Sequence, residues 1–138
     1  VEMDGWGARV VCGRQEYRPD GGGRGRYWGG VGQVIVIENA IGQDMELVAA
    51  FDRIDFRARG RDGGADGAAG RVLLKKNGEL QGKGCQHIPA GDRLIINTPG
   101  GGGFGPAPQR DRQLVRRDLA NGLISHHAAV GDYALTDG

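Results

Sequence analysis

The sequence has few aromatic residues, with two Trp, three Tyr and three Phe among its 138 residues. Aromatic side chains supply much of the buried area of a hydrophobic core, so their scarcity predicts a core that is thin for one domain of this length. Long hydrophobic runs are also missing, because no apolar stretch approaches the roughly 18 residues of a transmembrane helix. The first residues lack the basic and apolar regions of a signal peptide. We therefore expect no membrane partner and a cytoplasmic location.

Cysteine is also scarce. Cys12 and Cys85 are the two cysteines of the chain, and neither belongs to a CxxC pair, which excludes zinc-ribbon and thioredoxin-type motifs. We expect two free thiols in a reducing compartment. His87 follows Cys85 by two residues, a spacing that places both on one face of a strand. Hydrolysis by this Cys–His pair is the least favoured function that we consider.

The sequence has no excess of charge of one sign. Eighteen Lys and Arg residues balance 17 Asp and Glu residues, for a formal net charge of +1, which argues against a nucleic-acid partner. A metal site is not indicated either, since the adjacent His126 and His127 would point about 100° apart on a helix. We expect no cofactor bound by this chain alone.

Glycine is what the sequence has in excess, with 28 residues, about three times the usual share of roughly 7%. The glycines concentrate in residues 21–32, 60–70 and 100–105, and β-branched segments lie between these clusters. The third cluster follows an apolar strand directly, which is not a linker pattern. This composition predicts a folded, loop-rich β domain rather than a disordered or collagen-like chain.

The apolar segments between the clusters predict antiparallel strands. Residues 45–54 have Met, Leu, Ala and Phe at period two, and we expect this segment to form a hairpin with the strand before it. Asn77 and Gly78 indicate a type I′ turn. Residues 55–70 show neither strand nor helix periodicity and predict a long surface loop. The predicted strands are residues 8–17, 33–37, 45–54, 71–76 and 93–97.

The chain changes character after residue 109. Asp111 can cap a helix that ends at Asn121 and Gly122, and Ser125 can cap a second short helix. The expected apolar contacts of the two helices come from Leu114, Val115, Leu119, Ala128, Ala129 and Tyr133. The predicted fold class is mainly β with a C-terminal α-helical hairpin and glycine-rich loops between antiparallel strands. Residues 1–109 would form the β domain and residues 110–138 the helical tail of one structural unit.

Two interpretations of the glycine-rich segments remain open. Backbone N–H groups could cradle a phosphate, but the chain lacks GxxxxGK[ST], and residues 21–32 lead into a strand rather than a helix. We favour tight turns and close packing against another subunit, so that replacing Gly102 would harm assembly before chemistry. Arginines flanked by glycine could bind an anion or pair with an acid at an interface. The candidate interface or site-completing residues are Arg18, Asp20, Arg24, Arg26, Tyr27, Trp28, Thr98, Gly100, Gly101, Gly102, Gly103 and Phe104, and we assign no catalytic residue.

Three ordered blocks resemble the hydantoinase B family. The segment RPDGGGRGRYWGGVG at residues 18–32 resembles a block in which Arg-Pro-Asp leads into glycines, a Gly-Arg-Tyr step and a closing Gly-Gly-x-Gly. Residues 98–105 are similar to a second block, and the tail from residue 110 is similar to a third. Gly21 stands where the family usually has serine, and residues 106–108 replace an aspartate-proline continuation. The resemblance covers most of this sequence but only the C-terminal portion of a hydantoinase B chain.

The resemblance implies membership of an ATP-dependent complex that opens a cyclic amide or carboxylates a ketone without biotin. It implies hydantoinase A-like and B-like large subunits as partners, with ATP and a divalent metal bound in those subunits. We expect a small subunit of the acetophenone carboxylase type. The alternatives are a C-terminal fragment or subunit of an ATP-dependent hydantoinase or 5-oxoprolinase, and a free-standing anion-binding module.

Overall fold

The computed structural model describes residues 10–40 and 42–136. It is mainly antiparallel β structure followed by two short helices, as predicted, and residues 8 and 9 of the first predicted strand lie outside the described part. The elements are β1 (Val10–Tyr17), β2 (Gln33–Asn39), β3 (Met45–Ala50), β4 (Arg71–Leu74), β5 (Gly78–Glu79), β6 (Lys83–Ile88), β7 (Arg93–Asn97), α1 (Arg112–Ala120) and α2 (His126–Gly131), with one 3₁₀ turn at Ala107–Gln109. Within the described ranges, no helix is long and apolar enough to cross a membrane.

The strands form two sheets. A five-stranded sheet has the order β1-β2-β7-β4-β5, and β3 pairs with β6 in a separate two-stranded sheet. The expected hairpin between residues 33–37 and 45–54 is therefore wrong, because β1 and β7 pair with the two edges of β2. At the corner between β2 and β3, the buried Asn39 side chain donates to the carbonyl of Gln43 at 2.8 Å. The chain then continues into the second sheet instead of folding back.

The hydrophobic core of the β region lies between these two sheets. Its fully buried members, Val72, Leu74, Ile88 and Leu94, come from β4, β6 and β7. Alternate residues of β3 turn toward this core, as the period of two in the sequence predicted. The strand ends at Ala50, four residues before the predicted end.

The turn between β4 and β5 is held by a buried carboxylate. Asp92 accepts hydrogen bonds from the Lys76 N–H at 3.2 Å and from the Asn77 side-chain amide at 2.9 Å. Gly78 has a φ of 85°, whereas Asn77 does not have a positive φ. A type I′ turn requires positive φ at both central residues, so the hairpin was predicted correctly and its turn type was not. The contact with Asp92, 15 residues away, fixes the conformation of Asn77.

The helical tail packs on the first glycine cluster. Asp111 and Ser125 cap α1 and α2 as predicted, accepting from the N–H groups of Gln113 and Ala128. A second hydrophobic cluster forms here, with Trp28 packed against its buried members, which are Val115, Ile124, Ala128, Ala129, Tyr133 and Leu135.

A buried arginine of the tail contacts the glycine-rich region. Arg110 donates to the Asp118 carboxylate at 2.7 Å, and both side chains are almost fully buried. The Arg110 guanidinium also donates to the carbonyl of Arg26 and lies 5.4 Å from the centroid of the Trp28 ring. The Asp118 carboxylate supplies the partner that the buried charge of Arg110 needs, and two contacts, to the Arg26 carbonyl and the Trp28 ring, link the tail to the β region.

We predict that Arg110→Ala lowers the free energy of unfolding by about 3 kcal/mol, because it leaves the Asp118 carboxylate buried and unpaired. Arg116→Ala, at an exposed position of α1, the helix that contains Asp118, is the control and should be near neutral. Urea unfolding of both variants measures the difference. Equal stability of the two variants would contradict the importance of the pair.

Alkaline pH provides a second test of tail packing. Burial raises the pKa of Tyr133 above its ordinary value of 10.0, against the opposing charge of Arg110. The neutral phenol makes its full contribution to the free energy of unfolding below the ordinary pKa. This contribution is lost as the pH rises through the pKa of Tyr133 in the folded protein. Tyr133→Phe has no phenol to ionise. Between about pH 9 and pH 11, thermal unfolding should therefore show the wild-type Tm falling further than that of Tyr133→Phe.

Candidate interaction site

Three glycine-rich segments lie side by side and form what we call the glycine layer, made of residues 21–32, 58–68 and 98–105. None of these residues belongs to one of the seven strands. Their backbones nevertheless bond to one another, so that the region predicted as a long surface loop has a buried side at Ala58 and Gly67. The glycine clusters pack within this chain, whereas the sequence had favoured packing against another subunit.

The hydrogen bonds of the glycine layer recur at every third residue. Successive partners are spaced by three positions in all three segments, which is the period of a polyproline-II-like helix rather than the period of two found in strands. The bonds run from Ala65 N to Arg24 O (2.7 Å), Ala68 N to Gly21 O (2.9 Å), Gly103 N to Ala65 O (2.9 Å) and Gly100 N to Ala68 O (3.0 Å). Backbone polar groups of the layer are thus paired without a β-ladder.

The segments approach too closely to allow side chains between them. A Cβ atom on Gly100 would lie 1.7 Å from the carbonyl oxygen of Gly21, and one on Gly102 would lie 2.1 Å from that of Arg59. Both distances are far below contact separation, and backbone atoms cannot move aside as a flexible side chain can. The same restriction applies to Gly23, Gly29, Gly64, Gly67 and Gly103.

Three predicted site residues hold the layer together from its edge. The Arg18 guanidinium donates to the carbonyls of Ala69 at 2.7 Å and Thr98 at 3.3 Å, and burial lowers its pKa. The Thr98 hydroxyl accepts the N–H of Gln33 at 2.6 Å. The Asp20 carboxylate accepts the N–H of Ser125 at 2.9 Å and so connects the layer to α2.

Two further predicted residues face the helical tail. The Arg24 guanidinium pairs with the Asp132 carboxylate at 2.8 Å. Trp28 is half-buried beneath Arg110 and packs on the tail cluster. Arg18, Asp20, Arg24 and Trp28 therefore make intrachain contacts in the structure. Whether they also complete an interface stays a prediction.

The remaining predicted residues form an exposed patch. Tyr27 and Phe104 exchange two backbone hydrogen bonds of 3.0 and 2.8 Å, and their ring centroids are 6.4 Å apart. The two residues are 60% and 46% exposed, respectively. The Arg26 guanidinium lies 5.5 Å from the centroid of the Tyr27 ring. We call Arg26, Tyr27, Phe104 and the adjacent Arg61 the arginine–aromatic patch.

The glycine layer fixes the position of this patch. Arg61 joins it through its backbone, because its N–H donates to Gly103 O at 2.9 Å and its carbonyl accepts from Gly105 N at 3.0 Å. Arg61 was not among the predicted site residues, although its position directly after Gly60, beside a glycine cluster, is the same signal that indicated Arg26. Neither Arg26 nor Arg61 makes an ion pair within the described residues.

The four residues of the arginine–aromatic patch include no His, Cys, Asp or Glu. Cys85 and His87 are exposed on β6, and the His87 imidazole lies 3.1 Å from the Asp44 carboxylate. Both cysteines are free thiols, as predicted. In the described part of the chain, no three His, Cys, Asp or Glu side chains are arranged to hold a metal ion. The arrangement can bind a surface through aromatic rings and guanidinium groups.

Comparisons with known proteins show the family to which the chain is similar. A family model described as hydantoinase B/oxoprolinase matches residues 1–107. An uncharacterized protein of Methanocaldococcus jannaschii is 38% identical over 84% of this chain and 21% of its own length. Caprolactamase subunit beta of Pseudomonas jessenii is 29% identical over 98% of this chain and 24% of its own length. The chain therefore spans about a fifth to a quarter of these relatives.

Two solved structures have the same fold. The crystal structure of ATP-dependent caprolactamase from Pseudomonas jessenii matches 94% of this chain and 24% of its own chain, with a TM-score of 0.73 and 24% identity. A nucleotide-free acetone carboxylase, from a study of ATP-dependent acetone carboxylation, matches 92% of this chain and 22% of its own, with a TM-score of 0.66 and 18% identity. The glycine-rich β architecture thus occurs within much longer chains.

We predict that Gly102→Ala lowers the free energy of unfolding by about 3 kcal/mol, because its methyl group would overlap the Arg59 carbonyl and separate two segments. Gly30→Ala is the matched control, since a Cβ at Gly30 meets nothing within 4 Å, and its effect should be within about 1 kcal/mol. Thermal or urea unfolding of the isolated chain measures both effects. If Gly102→Ala unfolds normally and fails only in assembly, the packing that matters is with another subunit.

Proposed function

The chain belongs to the hydantoinase B/oxoprolinase family, and we propose that it acts as part of a hydantoinase B-like subunit in an ATP-dependent enzyme assembly. In this proposal it docks on the remainder of the hydantoinase B-like subunit and stabilises it. The hydantoinase A-like subunit, ATP and a divalent metal belong to the partner chains. The finer proposal is a biotin-independent ketone carboxylase of the acetophenone carboxylase type, which the fold shared with acetone carboxylase supports.

The single observation that carries the docking role is the exposure of Tyr27 and Phe104 on a rigid support. Buried aromatic and arginine side chains dominate the binding energy of protein interfaces. Their cost of ordering is small here, because backbone hydrogen bonds and close glycine packing already fix the segments that carry them. Large apolar rings left in water on such a support are suited to a protein partner.

Charge indicates what this partner presents. Arg26 and Arg61 flank the rings, and neither is neutralised by a carboxylate within residues 10–40 and 42–136. A partner with carboxylates around an apolar pocket would pair with both guanidinium groups through charge-assisted hydrogen bonds. The charge of the whole chain is nearly balanced. The electrostatic specificity would therefore come from the local pairing of Arg26 and Arg61 with carboxylates of the partner.

A second candidate is the ATP-dependent opening of a cyclic amide. It is favoured by the likeness to caprolactamase, which exceeds the likeness to acetone carboxylase in TM-score and identity. The docking role is the same in both candidates. Assays of the purified assembly with ATP separate them: a ketone with bicarbonate should yield a carboxylated product, whereas a lactam or hydantoin should yield a ring-opened acid.

The docking role is tested by native mass spectrometry of the chain with the hydantoinase B-like and A-like chains that accompany it in its source. We predict that Tyr27→Ala weakens this association by about 10-fold or more and leaves the Tm of the chain unchanged, because only its side chain is removed. Phe56→Ala is the control, since Phe56 is 85% exposed elsewhere.

Activity provides the second measurement. A saturating concentration of Tyr27→Ala should restore the maximal rate of the assembly, because the residue contributes to docking rather than to chemistry. Association that is equally strong for Tyr27→Ala and Phe56→Ala would contradict the role of the patch. A wild-type chain that associates with neither large subunit would contradict the proposed function itself.

A further inference from the structure

The central strands of the five-stranded sheet are apolar on both faces. β2 has the sequence QVIVIEN, β7 has RLIIN and β4 has RVLL. Ile37, Leu94 and Leu74 face the core between the two sheets, so the intervening residues project from the opposite face. An antiparallel sheet with one face in water normally alternates apolar and polar residues. These strands instead have the composition of strands that are covered on both sides.

The register of the sheet places the outward apolar residues in one row. Val36 of β2 pairs with Ile95 of β7, which pairs with Leu73 of β4. The row ends in Arg14 of β1, opposite Val36, and in Glu79 of β5, opposite Leu73. The three apolar residues are half-buried, although none belongs to either core cluster. At about 4.8 Å between neighbouring strands, the apolar part of the row is about 10 Å wide.

Charged residues surround this row. Ion pairs join Arg14 to Glu16 at 2.5 Å, Arg93 to Glu38 at 3.0 Å, and Arg71 to Glu79. An apolar centre within a polar rim is the usual organisation of a protein interface.

An open groove of about 380 Å³ lies over part of the row and is lined by Val36 and Ile95. Lys75 also lines it and forms no ion pair with any residue that the structure describes. A partner seated in the groove would therefore bring an acidic group to Lys75.

We propose that this outer sheet face is a second docking surface for the hydantoinase B-like subunit and is distinct from the arginine–aromatic patch. Its occupant is a segment of the remaining part of that subunit, with an apolar face of about one helix diameter and an acidic group near Lys75. The length of the related chain supports this choice. The caprolactamase structure aligns with 94% of this chain yet is only 24% covered by it, so most of that protein lies outside the shared fold and is available to cover the sheet.

The inference rests on the proposed function. Variants on the two surfaces distinguish a failure of the second docking surface from a failure of the proposed function. Ile95→Glu and Leu73→Glu place a carboxylate in the apolar centre, and each should weaken association with the hydantoinase B-like chain by about 10-fold or more. Val48→Glu is the matched control, since Val48 is a strand residue that is 76% exposed on the other sheet, and it should leave association unchanged. Circular dichroism and Tm of each variant establish that the chain remains folded.

A third variant keeps the test valid if both glutamate variants unfold. Lys75→Glu, at an exposed turn position, leaves the apolar row intact and should weaken association through charge repulsion. If the folded variants associate as strongly as Val48→Glu, while Tyr27→Ala associates weakly, the second docking surface is wrong. The proposed function is then still supported. A wild-type dimer in solution that Ile95→Glu dissociates would overturn the occupant in favour of a second copy of this chain.

Discussion

The close approach of three glycine-rich backbones is the constraint on which the rest of the structure depends. Where a Cβ atom on Gly100 would lie 1.7 Å from a carbonyl oxygen, the chain can contain no other residue without moving its neighbour. Segments of this layer position the aromatic rings of Tyr27 and Phe104. They also position the hydrogen bonds of Arg18 and the helical tail that Arg110 contacts. The few aromatic residues are therefore not needed to build the layer itself and are available for contacts at its margins.

Arginine has three different roles around this layer, although the local sequences are similar. Arg18 lies at the edge of the layer and donates to the carbonyls of Ala69 and Thr98, so its charge is partly withdrawn from water. Arg24 pairs with an aspartate of the tail. Arg26 lies over an exposed ring and keeps its hydrogen-bonding capacity. Only the third arrangement leaves a guanidinium group ready for a partner, and a free-standing anion site that uses all three arginines would require the existing contacts of Arg18 and Arg24 to break.

Local signals in the sequence predicted local structure well. Apolar and β-branched runs predicted most of the strands, but β6 was missed, since its sequence KGCQHI contains no such run. The caps at Asp111 and Ser125 were correct because a capping hydrogen bond spans only two or three residues. Pairing between distant segments was not predictable in the same way. The expected partner of residues 45–54 was the preceding strand, but β6 occupies that position from about 40 residues further along the chain. Strand order depends on which strand edges are already paired with other strands, and no short sequence window contains that information.

The candidate site shows the same division between local and distant information. Glycine excess identified the three segments, but the carbonyls that exclude a side chain at each glycine come from other segments and could not be assigned from sequence. The outer sheet face was missed for a related reason. When a strand is apolar on both faces, its sequence does not show which face lies in the core and which lies outside it. Sequence patterns therefore identified Arg26, Tyr27 and Phe104 of the arginine–aromatic patch but missed Arg61 and the row formed by Val36, Ile95 and Leu73.

The glycine layer has a consequence for the heat capacity of the protein. Exposure of apolar surface raises the heat-capacity change of unfolding, whereas exposure of polar groups lowers it. When the segments separate, they release mainly peptide groups to water, because hydrogen-bonded backbone takes the place of packed hydrocarbon at their contacts. The heat-capacity change should therefore be small for a chain of 138 residues. A small value flattens the dependence of the unfolding free energy on temperature, so the fold loses relatively little of its stability on cooling.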